Sequence, residues 1–121
     1  MTKNEANGIW VFAEQKNGVL DKTPLELISK ALELKQTTGE EVTALLVGSD
    51  VAELADTLIA YGADMVIVAE NENLKSYSGR PYQKVVAEIT AKYKPSIFIF
   101  PATAQGRDLA PRVMCTLGTG L

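Results

Sequence analysis

Gly8-Ile9-Trp10-Val11-Phe12-Ala13 is an unbroken apolar run, the mark of a strand buried on both faces. Trp10 is expected in the core, because a large aromatic ring gains most by burial. Glu14 to Asp21 is polar, contains Gly18 and reads as a loop. Thr23-Pro24-Leu25-Glu26 then combines an N-cap threonine, a proline at the first helical position and a capping-box glutamate. Leu27, Ile28, Ala31, Leu32 and Leu34 continue a helix that Gly39 stops. The same unit recurs. Val42 to Val47 is a second apolar run ending at Gly48, and Asp50-Val51-Ala52-Glu53 opens a helix with a capping-box pattern. Leu54, Ala55, Leu58 and Ile59 form its buried stripe, and Gly62 after Tyr61 predicts a left-handed cap. Met65 to Ala69 is the third strand. After a polar stretch from Glu70 to Arg80, Pro81 starts a third helix, with Val85, Val86, Ile89 and Tyr93 on one face. Pro95 blocks its continuation, and Ile97 to Phe100 is the fourth strand, closed by Pro101. The last helix falls within Gln105 to Leu117 and ends at Gly118.

Buried strands alternating with amphipathic helices predict an α/β domain, a parallel sheet with helices on both faces in three layers. Right-handed crossovers and a reversal beside the first strand give the Rossmann-like order 3-2-1-4. The 121 residues allow one domain, 1–121. Twelve basic against fifteen acidic residues leave a formal charge of −3, so no basic field exists to hold nucleic acid or an anionic membrane. The chain has no histidine, which excludes histidine triads and imidazole zinc sites, and its single cysteine excludes an internal disulfide. No apolar run approaches the roughly 20 residues of a membrane span, and the first seven residues are too polar for a signal peptide. The expectation is a soluble, intracellular protein that is not a hydrolase of any histidine-dependent kind.

Ligands of such sheets bind at the carboxyl ends of the strands, where the order reverses. Here that edge comprises Ala13 to Lys16 after the first strand and Ala102 to Asp108 after the fourth. Neither carries the spaced glycines of a dinucleotide loop or the glycine-lysine pattern of a P-loop. Ala102 to Asp108, with small residues, a hydroxyl and a nearby helix start, fits either an anion site or close packing of the last helix. The cleft candidates for cofactor contact are Glu14, Thr103, Gly106, Arg107 and Asp108; no catalytic and no metal residue is assigned. Pro111 belongs in a first helical turn, which favours Asp108 as N-cap, although an earlier, kinked start is open. Glu14, at a strand end, and Glu70-Asn71-Glu72 read as solvated, and Cys115 as a buried small hydrophobe. Tyr77 and Tyr82 either anchor the long loop or form a partner surface. Arg107 and Arg112 are two of only three arginines. Arg107 is expected to reach a neighbouring subunit and Arg112 to brace Ala102 to Gln105.

Several segments together resemble the N-terminal domain of the electron-transfer flavoprotein α subunit. They are Ala13-Glu14 with Gly18, Glu26-Leu27, Tyr61-Gly62-Ala63-Asp64, and Leu74 with Tyr77 and Tyr82. Most specific are Ala102-Thr103, then Gly106-Arg107-Asp108-Leu109-Ala110-Pro111-Arg112, and the closing Gly118-Thr119-Gly120-Leu121. The resemblance implies a non-catalytic electron carrier of the bacterial cytoplasm. In it a heterodimer with a related β subunit passes electrons from acyl-CoA-dehydrogenase-type donors through FAD to a redox acceptor. It also implies that FAD sits in a C-terminal domain absent from this chain, so that none is expected here and the chain reads as a truncation. An isolated scaffold domain of this kind is expected to self-associate through the surface meant for its partner. The rival reading is a free-standing adenine-nucleotide-binding module of universal stress protein type, sharing the adenine nucleotide α-hydrolase-like sheet order. Gly106 and Gly118-Thr119 imitate its glycines, but Thr103 stands at the earlier glycine position and the spacing differs.

Overall fold

The computed structural model describes residues 7–20 and 22–116. Four parallel strands form the sheet: β1 (Ile9–Phe12), β4 (Val42–Gly48), β5 (Met65–Glu70) and β6 (Ile97–Ile99). Their order is β5-β4-β1-β6, the reversal read from the sequence. Strand alternation sends the two side-chain sets into separate layers. Ile9, Val11, Val42, Ala44 and Leu46 meet Ile28 and Ala31 of α1 (Lys22–Thr38) and Leu58 of α2 (Leu54–Ala60). On the other face Trp10, Phe12, Leu45 and Val47 meet Tyr82 and Val86 of α3 (Gly79–Tyr93), and Leu109 and Val113 of α4 (Ala104–Thr116). β1 and β4 are buried throughout, whereas β5 and β6 are largely half-buried, because each lies at an edge of the four-stranded sheet.

The polar segment after β1 is more ordered than a loop. It folds as an antiparallel hairpin of β2 (Gln15–Lys16) and β3 (Val19–Leu20), turning at Asn17 (φ 53°) and Gly18 (φ 79°). Asn-Gly with both residues left-handed is the preferred two-residue hairpin turn. Helix α1 begins at Lys22, so Thr23 lies inside its first turn and is not its N-cap. At its end Gly39 takes φ 73° and its N–H reaches Lys35 O at 2.8 Å, as the stop signal predicts.

Helix α2 starts at Leu54, later than the capping-box pattern suggests. Asp50 sits at φ 58°, incompatible with the extended backbone of an N-cap. Glu70 at the end of β5 instead ties down the turn that leads into the helix: its carboxylate accepts from Val51 N at 2.8 Å and Ala52 N at 3.0 Å, ahead of the N-cap Glu53. Glu70 is therefore a structural acceptor rather than an idle solvated side chain. At the other end Gly62 N–H bonds Ile59 O and Ala63 N–H bonds Leu58 O, the paired bonds of a Schellman cap, with Gly62 at φ 121°. Ile59 is exposed, leaving Leu58 as the fully buried residue of this short helix.

Within the stretch from Glu70 to Arg80, a 3-10 turn (Glu72–Leu74) starts at Asn71, whose side chain accepts from Asn73 N, and it buries Leu74. Helix α3 begins at Gly79, two residues before Pro81. It buries Tyr82, Val86, Ala87 and Thr90, while Tyr93 is half exposed. The Tyr82 hydroxyl donates to Leu74 O at 2.7 Å, so this tyrosine anchors the loop. Lys94, at φ 54°, closes the helix before Pro95. Gly118 and the closing Gly-Thr-Gly-Leu lie outside the described residues.

Candidate functional site

Ala13 ends β1 at the carboxyl edge of the sheet, and the next two side chains turn inward. Glu14 is only 7% exposed and Gln15 6%, so Glu14 is buried, contrary to the solvated reading. Gln15 donates from Nε2 to Val47 O at 3.1 Å and accepts from Gly18 N at 2.8 Å, tying the hairpin to β4. Gly48 leaves it room: a Cβ there would stand 2.5 Å from the Gln15 amide nitrogen. Nothing in a polar segment marks this glutamine as buried; the only local signal is the Asn-Gly turn two residues on.

Across the reversal, the Thr103 hydroxyl donates to Glu14 Oε1 at 2.5 Å and accepts from Gly106 N at 3.1 Å. Thr103 thus performs the N-cap role for α4, and the helix starts at Ala104 rather than after Asp108. Pro111 consequently lies inside the helix. It is exposed, as is Arg107, whose carbonyl has no helical N–H to accept from at that proline. Gly106 is required by contact, since a Cβ would come within 2.0 Å of Pro101 O. Close packing of α4 on the sheet is the reason for the small residues of this loop.

Of the five cleft candidates, Glu14, Thr103 and Gly106 meet. Arg107 is exposed and Asp108 turns to other partners. Asp108 accepts from the Tyr77 hydroxyl at 2.6 Å and from Arg112 Nε at 3.0 Å. The Tyr77 hydrogen bond, with Arg112 beside it, holds the Asp108 carboxyl below its ordinary range. Burial, then the Asp108 carboxylate, push the Tyr77 phenol up. Arg112 also reaches Gln83 Oε1 at 3.5 Å and lies over Gly79, where a Cβ would meet its guanidinium at 2.6 Å. Through Gln83 and Gly79 it joins α4 to α3. Cys115 is exposed, near the end of α4, and not a core hydrophobe.

The chemistry available at the switch point is limited. A phosphate there would meet a buried carboxylate, and the helix amide that would bind it is already bonded to Thr103. Among the described residues no cluster of acidic and cysteine side chains is arranged to hold a metal ion. This is a Rossmann-like domain in which Glu14, Thr103 and the Gly106 amide bond one another at the switch point.

The chain belongs to the electron transfer flavoprotein domain family, whose profile matches residues 9–121. It is 42% identical over 121 residues to an electron transfer flavoprotein subunit alpha of Clostridium acetobutylicum, covering 100% of this chain and 36% of that protein. It is 44% identical over 117 residues to the corresponding subunit of Megasphaera elsdenii, covering 97% of this chain and 35% of that one. The lactate dehydrogenase (NAD(+),ferredoxin) subunit LctC of Acetobacterium woodii is 40% identical over 119 residues, with 98% of this chain and 28% of that protein covered. The chain therefore spans about a third of the length of the curated relatives it matches. It corresponds to the N-terminal domain of these α-type electron-transfer subunits, and the stress-protein alternative is not favoured. Among the described residues no helix is long and apolar enough to cross a membrane.

Proposed function

We propose that residues 1–121 form the non-catalytic scaffold domain of an electron-transfer flavoprotein α subunit of the bacterial cytoplasm. A C-terminal domain of the longer subunit holds FAD, and this domain packs on a related β subunit. The complex takes electrons from acyl-CoA-dehydrogenase-type donors and passes them to a redox acceptor. The observation that carries this reading is a switch point whose polar groups bond one another. Glu14, Thr103 and the Gly106 amide satisfy one another where a nucleotide-binding relative would place phosphate. Arg107, at the same edge, is exposed and its side chain has no partner among the described residues. A planar guanidinium left in that state suits two-pronged bonding to a partner carboxylate.

The test compares the 121-residue chain with the full-length subunit co-expressed with a β-type partner. The chain alone is expected to be colourless and to ignore ATP and AMP, while the co-expressed pair is a yellow heterodimer. Arg107→Ala is expected to weaken assembly of the full-length pair about tenfold or more, with thermal stability unchanged. Stoichiometric FAD or tight AMP binding in the 121-residue chain overturns the scaffold reading. Unchanged assembly affinity overturns the role of Arg107.

A further inference from the structure

The hairpin that follows β1 turns on Asn17-Gly18, a pair of residues able to modify itself without any enzyme. In such a pair the glycine amide nitrogen attacks the asparagine side-chain Cγ. The bond from Cγ to the side-chain nitrogen breaks, and ammonia leaves with the proton that the glycine nitrogen gives up. A cyclic imide remains. Water then opens it at either carbonyl, giving aspartate or the isomer whose backbone runs through the side-chain carbon. Glycine favours the attack because no side chain shields its nitrogen. Asn17 and Gly18 are both exposed. With Ser49, Asp50, Glu72 and Lys75 they line an open polar cleft of about 540 Å³, so water reaches the turn.

The nucleophile is held back. Gly18 N donates to Gln15 Oε1 at 2.8 Å, and must leave it before the nitrogen can turn on Asn17 Cγ. Gln15 is a firm holder, because it is buried and its Nε2 is fixed on Val47 O at 3.1 Å. Gly48 gives that amide its space: a Cβ there would stand 2.5 Å from Gln15 Nε2. The pairing of Gln15 with Leu20 and Lys16 with Val19 holds the turn from both sides.

We infer that Asn17 is a latent site of spontaneous deamidation, kept shut in the folded protein by the Gln15 side chain. The reaction waits on local opening of the hairpin, not on unfolding of the domain. Its products do not revert. The isomer lengthens a tight turn by a backbone carbon, and either product adds a carboxylate to a cleft that already holds Asp50 and Glu72. The inference is independent of the electron-transfer reading, because it uses only the turn and its side-chain clamp.

The chain is incubated at mildly alkaline pH, folded and in urea, and conversion of Asn17 is followed by peptide mapping, which separates it from the other such pair, Asn7-Gly8. Asn17 is expected to react at least about tenfold more slowly in the folded parent than in urea. Gln15→Met keeps the length of the side chain and loses both hydrogen bonds, and is expected to speed the folded-state reaction about tenfold. Gly48→Ala, whose methyl group displaces the Gln15 amide, is expected to act in the same direction, and it keeps the test decisive if Gln15→Met does not fold. Asp64→Asn, which removes the Asp64 carboxylate from Lys35 and Val42 far from the hairpin, is expected to leave the rate at Asn17 unchanged. Equal rates in the folded and the urea-unfolded parent overturn the inference, as does an unmoved rate in either clamp variant that folds. So does an acceleration by Asp64→Asn equal to that of the clamp variants, which would assign the reaction to global unfolding.

Discussion

Glu14 accepts from the Thr103 hydroxyl at 7% exposure, next to the positive end of α4, whose dipole offsets part of the cost of burying a carboxylate. Thr103 therefore serves two neighbours through a single oxygen, and removing it leaves a buried acceptor and a helix amide both unmet. Thr103→Ala is expected to destabilise the protein by about 2–3 kcal/mol, more than an ordinary cap loss. Thr103→Ser keeps the oxygen and is expected to stay within about 1 kcal/mol of the parent. Urea denaturation of both variants checks the pair; equal losses would make the methyl group, not the hydroxyl, the source of stability. This partnership was half legible. The small residues and hydroxyl of Ala102 to Gly106 are visible in the sequence, but nothing local says that Glu14, 89 positions earlier, is the acceptor. Asp108 misleads for the same reason. Its type and its place before Pro111 suit an N-cap, while Tyr77, 31 positions away, supplies the bond that draws it aside.

Elements that rest on their own composition were the most readable. β1 and β4 are continuous apolar runs and lie buried in the middle of the sheet, and each fully buried Val, Leu or Ile contributes about 1.5–3 kcal/mol. The boundaries that rest on distant residues were not. The turn leading into α2 is held by Glu70, 18 and 19 positions beyond the amides it serves, and no window around Asp50 contains that information. The hairpin of β2 and β3 was within reach, because Asn17-Gly18 is a strong turn signal, but two-residue strands leave no alternation to support it. Glu70→Ala should release two amides in the turn before a seven-residue helix. The expected loss is about 1 kcal/mol, or roughly 3–6 °C in Tm for a domain of this size. Glu70→Gln retains an acceptor oxygen and should lose less, as differential scanning calorimetry will show. Similar losses in both variants would assign the effect to charge rather than to the acceptor oxygen.

At the scale of the whole molecule, the two core layers are joined through the sheet and pinned at its amino edge by Asp64. Its carboxylate accepts from Lys35 Nζ at 2.9 Å on α1 and from Val42 N at 2.8 Å at the start of β4. The Lys35 hydrogen bond first, then the Val42 amide, lower the Asp64 pKa below its ordinary value. A carboxyl whose folded-state pKa is depressed stabilises the fold above its unfolded value, near 4, and loses that contribution as pH falls through the folded one. Asp64→Asn is therefore expected to be less stable than the parent at pH 7, the difference shrinking below about pH 4. Denaturation midpoints measured from pH 7 to pH 2.5 test it, and a pH-independent difference would remove the ionised form from the explanation. The placement of β1 has a further consequence, in time rather than in energy. It is hydrogen-bonded to β4 on one side and β6 on the other, with every residue buried. Its enclosed amides have no local opening through which to meet water, whereas those along the outer edge of β5 need only a fraying strand. In heavy water the central strand therefore keeps its protons until the entire domain unfolds, and its exchange clock reads the global stability directly.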